Sequence, residues 1–149
     1  MDKYFKQETQ HPNGELRTQY QFLNDDKHGI QFEFDTNGKL QYSYNYKNGE
    51  REGVATGFYS DTGLKKFQKN YVHGERHGKS MAWYSNGRLH YELEYYDAKR
   101  HGIHKGYRPD GTIEYEYHYS HGKRNGDYIS YYPDGSIQNK RTYKEGKRL

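Results

Sequence analysis

A 24-residue internal period constrains the fold of this chain more than any other feature of its sequence. A turn dipeptide ending in glycine recurs every 24 or 25 residues, as Asn13-Gly14, Asn37-Gly38, Thr62-Gly63, Asn86-Gly87, Asp110-Gly111 and Asp134-Gly135. A second glycine recurs midway between these turns, at Gly29, Gly53, Gly78, Gly102 and Gly126. Because self-similarity at a fixed period is the signature of repeat architectures, we predict about six copies of one supersecondary unit over residues 13–149.

Between the turns, apolar and polar residues alternate. In one such segment the apolar residues are Ile113, Tyr115, Tyr117 and Tyr119. A period of two predicts β-strands, and two strands joined by a glycine turn predict a hairpin. The predicted fold is all-β: an elongated single-layer antiparallel β-meander of about six 24-residue hairpin repeats. We expect one domain over residues 1–149, with residues 1–12 as an N-terminal cap strand.

The turn chemistry predicts the register of each hairpin. Pro133-Asp134-Gly135 suits a bulged loop with a left-handed glycine. This register predicts four facing pairs: Tyr131 with Ile137, Trp83 with Leu89, Phe34 with Leu40, and Phe32 with Tyr42. The third unit has one extra residue and has Lys65 and Lys69 at phases that are otherwise apolar, so we expect a bulge or bend near residues 59–70.

The composition narrows the functional classes. The chain has 19 tyrosines and no cysteine, which excludes disulfides and thiolate metal sites. It contains no phosphate-binding loop or nucleophile motif, and its histidines lack a third ligand at a set spacing. We therefore predict no enzyme activity, no metal and no cofactor. No apolar run could span a bilayer and no signal sequence is evident, so we expect a cytoplasmic protein; a chain whose signal had been removed would look the same.

Some units resemble a known family. Residues 119–126 (YSHGKRNG) and residues 131–135 (YYPDG) are similar to MORN repeats, especially to the bacterial variant found in antitoxin or immunity proteins of toxin–antitoxin pairs. The resemblance extends from about residue 13 to the end of the chain and implies an elongated β-meander without catalysis. Asp25, Ala98 and the third unit depart from the pattern.

A third turn signal in each repeat has glycine at positions 49, 74, 122 and 146, with Asp25 and Ala98 at the same phase. A basic residue recurs two positions after this signal, as Lys27, Arg51, Arg76, Arg100, Arg124 and Arg148. One interpretation is an electrostatic strip for an acidic protein or anionic lipid. The other is that each cationic chain covers a neighbouring tyrosine ring. Residues 76–149 hold 14 Lys and Arg against 9 Asp and Glu, so an anionic partner would meet this half.

Aromatic residues are the second set of candidate contacts, because Tyr and Trp are enriched at interface hot spots. The residues singled out are Tyr44, Phe58, Trp83, Tyr91 and Tyr107. A structural role in cross-strand pairs would explain the same residues.

Together these features predict a protein-binding module. The specific hypothesis is an immunity protein that sterically blocks a cognate toxin of neutral or acidic charge. The alternative is a MORN scaffold that binds anionic membrane lipids through its basic strip, in which case vesicle binding would fade with salt. Nucleic acid is not an expected partner. The sequence leaves open the partner's identity, the binding face and the oligomeric state.

Overall fold

A computed structural model of the chain describes residues 1–149, which form two compact units, Met1–Glu75 and Arg76–Leu149. The first unit contains β1 (Tyr4–Gln10), β2 (Leu16–Leu23), β3 (Asp26–Lys27), β4 (Gly29–Phe34), β5 (Leu40–Lys47), β6 (Glu50–Arg51), β7 (Gly53–Phe58) and β8 (Lys65–Val72). The second contains β9 (Glu75–Trp83), β10 (Leu89–Tyr96), β11 (Lys99–Tyr107), β12 (Ile113–Ser120), β13 (Lys123–Tyr131), β14 (Ile137–Lys144) and β15 (Lys147–Arg148). Consecutive long strands pair antiparallel within each unit. The predicted all-β antiparallel meander is confirmed; the single domain stays a prediction.

Each Asn-Gly-type turn is closed by backbone hydrogen bonds. In the second repeat, the Gly38 N–H donates to the Asp35 carbonyl at 3.0 Å, and the Asp35 N–H donates to the Lys39 carbonyl at 2.8 Å. The Asp35 carboxylate also accepts from the N–H groups of Asn37 and Lys39. These bonds satisfy the backbone groups that a tight turn would otherwise leave unpaired.

A β-bulge follows every one of these turns. In the second repeat Phe34 faces Leu40, but the next pairs are Glu33 with Tyr42 and Phe32 with Ser43. The predicted facings of Tyr131 with Ile137, Trp83 with Leu89, and Phe34 with Leu40 are confirmed. The predicted facing of Phe32 with Tyr42 is wrong, because the bulge inserts one residue into the second strand and shifts the register beyond the first pair.

The extra residue of the third unit lies in its turn. There the Gly63 N–H donates to the carbonyl of Tyr59, four residues back, instead of three as in the other five turns. The strands on either side keep the usual bulged register. Lys69 takes a phase that is otherwise apolar and places its ammonium 4.5 Å from the centre of the Phe67 ring. The predicted irregularity is therefore a longer turn within residues 59–70.

Each unit has two unlike faces. The tyrosine face carries the alternating tyrosines of the second strand of each repeat, such as Tyr44 and Tyr91; the second face is the opposite one. The buried apolar residues Ala55, Tyr71, Ala82 and Leu93 lie on the tyrosine face. The thin core of each unit is thus on this face.

Small residues allow the rings of the tyrosine face to lie flat. A Cβ at Gly57 would be 2.4 Å from Cε1 of Phe67, and a Cβ at Gly106 would be 2.3 Å from Cζ of Tyr115. Real Cβ atoms essentially never approach other atoms so closely. Glycine at these two positions therefore lets an aromatic ring cross the neighbouring strand.

Candidate functional site

The recurring basic side chains lie across tyrosine rings. The guanidinium carbon of Arg51 is 5.0 Å from the centre of the Tyr44 ring and 5.2 Å from that of Tyr71. The guanidinium also donates hydrogen bonds of 3.3 Å to the hydroxyls of Tyr46 and Tyr71. The same ring contacts are made by Lys27, Arg76, Arg100 and Arg124, at 4.1 to 5.5 Å. Cation–π attraction and ring coverage give these residues a structural role.

The pKa values of Tyr44 and Arg51 reflect this packing. Burial raises the pKa of Tyr44 to about 12, with the Glu33 carboxylate adding to the shift. The hydrogen bond to Tyr46 raises the pKa of Arg51 above its usual value. Both residues therefore keep the protonation states that the cation–π contact requires throughout the neutral range.

The backbone of the basic residues joins one repeat to the next. The two-residue turns at 48–49, 73–74, 97–98, 121–122 and 145–146 connect neighbouring repeats: the second residue of each donates its N–H to the carbonyl of the basic residue one repeat earlier. Examples are Gly49 to Lys27 at 2.9 Å, Ala98 to Arg76 at 3.0 Å, and Gly122 to Arg100 at 2.7 Å. Arg148, at the chain end, is exposed and faces Tyr143 in the β14–β15 register. The recurrence of these residues thus follows from how the repeats stack; a role in partner binding stays a prediction.

The aromatic candidates do not share one face. Tyr44 and Tyr91 lie on the tyrosine face. Phe58, Trp83 and Tyr107 lie on the second face, because the bulge beside each of them reverses the alternation. Both faces therefore carry aromatic candidates, and a role of these rings in partner binding stays a prediction.

On the second face, tyrosine hydroxyls hold carboxylates in place. The Tyr107 hydroxyl donates to Oε1 of Glu92 at 2.8 Å, and the Tyr131 hydroxyl donates to Oε1 of Glu116 at 3.0 Å. Burial raises the pKa of Tyr107 to about 12, and the bond to Glu92 contributes to the shift. These hydrogen bonds orient the two glutamate side chains as acceptors.

A groove on the second face of the first unit has a volume of about 470 Å³. It lies over the bulge at Gly53 and is lined by Ile30, Val54, Ser43 and Asn45, among others. Ile30 and Val54 are 46% and 42% exposed. The groove therefore combines aliphatic walls with neutral hydrogen-bonding groups.

The second unit has the equivalent groove at the bulge of Gly102, with a volume of about 300 Å³. Ile103, which is 43% exposed, takes the place of Val54. The remaining lining differs, because Lys79, Glu92, Glu94 and Lys105 replace the neutral residues at the same repeat phases. In both grooves an exposed aliphatic residue directly follows the mid-repeat glycine. This residue was not among the binding candidates predicted from the sequence.

His104 lies on the tyrosine face, with ring centres 5.5 Å from Tyr115 and 6.0 Å from both Tyr91 and Tyr117. Its Nδ1 is buried and has no hydrogen-bond partner. Burial lowers the pKa of His104, and Arg100 adds to the shift. No group of three His, Asp or Glu side chains is arranged to hold a metal ion.

No helix in the structure has the length and apolar character needed to cross a membrane. A family model described as a MORN repeat variant matches residues 27–48, 76–97, 100–121 and 124–145, which together are more than half of the chain. A search of curated proteins gives no match. Each matched segment begins at a residue of the recurring basic series, and repeats of this type are non-catalytic modules that bind proteins or membranes. The chain therefore belongs to the MORN repeat variant family.

Proposed function

We propose that this chain is a protein-binding module that contacts its partner with the second face. The observation that carries the proposal is the pair of equivalent grooves. Ile30 and Val54 line the first groove and Ile103 lines the second, and each of these side chains is more than two-fifths exposed. Exposed aliphatic side chains grouped in a groove with polar neighbours are typical of contact sites. Burying such side chains against a partner contributes roughly 25 cal/mol per Å² of apolar surface.

The arrangement of the cations favours a protein over a lipid surface as the partner. Lys27 lies 4.1 Å from the Tyr20 ring, and Arg51 donates hydrogen bonds to two tyrosines. To reach a lipid headgroup, each cation would have to leave its ring and forfeit about 0.5–1 kcal/mol of cation–π attraction. Direct contact of these cations with lipid headgroups would therefore cost ring contacts within the sheet.

The groove linings describe the chemistry of a fitting partner. In the first unit, Ser43 and Asn45 offer neutral hydrogen bonds beside Ile30 and Val54. In the second unit, carboxylates of Glu92 and Glu94 lie in the same groove as the amines of Lys79 and Lys105. A partner that inserts apolar side chains and places charges of both signs beside the second groove would satisfy both.

The finer proposal, which rests on the family resemblance, is that the partner is a bacterial toxin and that the chain acts as its immunity protein in the cytoplasm. Neutralisation would be steric: the second face would cover the toxin's active site, with ring and aliphatic side chains as anchors. A toxin of neutral or acidic net charge suits a chain of formal net charge +4.

The test is affinity capture with the intact chain, followed by calorimetric titration of the captured protein. Val54→Asp and Ile103→Asp place a carboxylate in each groove and should weaken binding at least tenfold. Arg124→Gln is the matched control on the tyrosine face and should leave the affinity within about threefold. Equal losses for all three variants would contradict the assignment of the second face.

Two further measurements separate the alternatives. Co-expression with the captured protein should restore growth if that protein is toxic alone, and Ile103→Asp should reduce the rescue. Absence of rescue would reject the immunity proposal but leave the protein-binding one. Binding to phosphatidylserine vesicles that fades with salt, without any captured protein, would favour the lipid alternative.

A further inference from the structure

The outer edge of β1 is open along its whole length. All seven residues of Tyr4–Gln10 are exposed, and within its unit β1 pairs only with β2. An open edge presents a row of unpaired N–H and C=O groups that can pair with another strand. The neighbouring surface is apolar, since Phe5 stacks on Phe22 at 4.9 Å and Tyr4 is exposed.

The register with β2 identifies which backbone groups face outward. The Asn24 N–H donates to the Lys3 carbonyl, so Lys3 directs its backbone toward β2. In an antiparallel ladder the direction alternates from residue to residue. Phe5, Gln7 and Thr9 therefore also bond inward, while Lys6 and Glu8 present their N–H and C=O groups at the open edge.

We propose that this edge pairs antiparallel with the same edge of a second copy of the chain, about a two-fold axis at Gln7. In this register Lys6 faces Glu8 of the second copy, and Glu8 faces Lys6 of that copy. The pairing does not depend on the proposed function. Neither side chain forms an ion pair within the chain, and opposite charges on directly facing residues stabilise a strand pair. Glu8 is already oriented by a 2.7 Å hydrogen bond from Gln19.

The neighbouring symmetric registers are disfavoured by charge. A shift of the two-fold axis to Lys6 would bring two lysines face to face, and a shift to Glu8 would bring two glutamates together. Like charges at directly facing positions destabilise a strand pair. β14, the last long strand of the second unit, carries Lys140, Arg141 and Lys144, and lysine-rich edges resist self-pairing.

The experiment is sedimentation velocity of the full chain over a wide concentration range. The wild type should show a reversible monomer–dimer equilibrium. Lys6→Glu and Glu8→Lys each place like charges at both facing positions, so each variant alone should be monomeric. The double swap Lys6→Glu with Glu8→Lys should dimerise again, and an equimolar mixture of the two single variants should form a heterodimer. Both substituted side chains are exposed, so circular dichroism should match the wild type.

Cross-linking tests the register directly. In the proposed dimer, Gln7 faces Gln7 of the second copy as a non-hydrogen-bonded pair. The Cα atoms of such a pair lie about 4.5 Å apart, a distance that a disulfide can bridge. Because the chain has no cysteine, Gln7→Cys should form a disulfide dimer on oxidation, whereas Thr9→Cys should not. A wild type that stays monomeric at all concentrations, a mass that grows without limit, or equal cross-linking of both cysteine variants would overturn the proposal.

Discussion

The two units build the same groove from the same backbone and line it with different chemistry. A left-handed glycine, Gly53 in one unit and Gly102 in the other, bulges the first strand of the repeat at φ angles of 75° and 71°. The side chains facing this bulge are Ser43 and Asn45 in the first unit but Glu92 and Glu94 in the second. The repeat backbone therefore fixes where the groove lies. The side chains that face the groove do not touch the core, so they can differ between repeats and set the chemistry of the groove.

A second contrast concerns the position two residues after the mid-repeat glycine. In the first unit, Gln31 is fully buried and its amide bonds the backbone on both sides of the bulge, including the Gln21 N–H at 3.0 Å. In the second unit His104 occupies the same phase, and its Nδ1 has no partner. One repeat thus ties its bulge with hydrogen bonds, whereas the other fills the space with an aromatic ring.

The largest expected effect breaks the hydrogen bonds at Gln31. Gln31→Leu leaves the Gln21 N–H and the Gly29 carbonyl without their amide partner, so we expect a loss of about 3 kcal/mol in the free energy of unfolding. His104→Leu is the matched variant and should change it by less than about 1 kcal/mol, because no hydrogen bond to Nδ1 is lost. Urea denaturation of both variants measures the difference; equal losses would mean that the two positions are equivalent.

Gly57→Ala and Gly106→Ala test what the units share. Each added Cβ would meet a ring that has little room to move, since the Tyr115 ring packs against His104 and Tyr117. Overpacking of this kind costs about 2 kcal/mol, and we expect similar losses in both units. Ser130 faces the same Tyr115 and already has a Cβ, so Ser130→Ala should alter thermal unfolding little. A tolerated Gly106→Ala would contradict the role of ring packing.

Ala98→Gly tests the two-residue turns. Ala98 has a φ of 60°, in the left-handed region, where Gly49 and Gly122 occupy the same turn position in other repeats. Relieving this strain should stabilise the chain by about 1 kcal/mol. The reverse change, Gly49→Ala, should destabilise it by a similar amount. Chemical denaturation measures both, and two changes of the same sign would be inconsistent with this explanation.

The smallest expected effect is the contribution of His104 to the pH dependence of stability. Its pKa in the folded chain is lowered below 6.5 by burial, so the unfolded chain binds this proton more readily. The stability contributed by neutral His104 should therefore be present above about pH 6.5 and decline as the pH falls through this value toward the folded pKa. The free energy of unfolding should change less between pH 7 and pH 5 for His104→Leu than for the wild type. Equal changes in the two proteins would contradict this prediction.

Much of the fold follows from local patterns. The alternation in β12 predicts a strand, and the dipeptide Asp134-Gly135 predicts the turn that follows β13. The ring-covering interpretation of the basic series was also open to sequence reasoning, because a cation that recurs with a tyrosine in every repeat suggests a contact within the repeat. The grooves were not predicted, since their walls come from separate strands whose facing depends on register.

The sequence by itself determined the period, the strands, the turns and the all-β class, because each depends on residues that are close together in the chain. Only the tertiary structure decided which face Phe58, Trp83 and Tyr107 occupy. A strand's side chains alternate, so one bulged residue such as Gln41 reverses the facing of everything beyond it. Which residue bulges depends on the hydrogen bonds between two paired strands. No single stretch of sequence contains both strands.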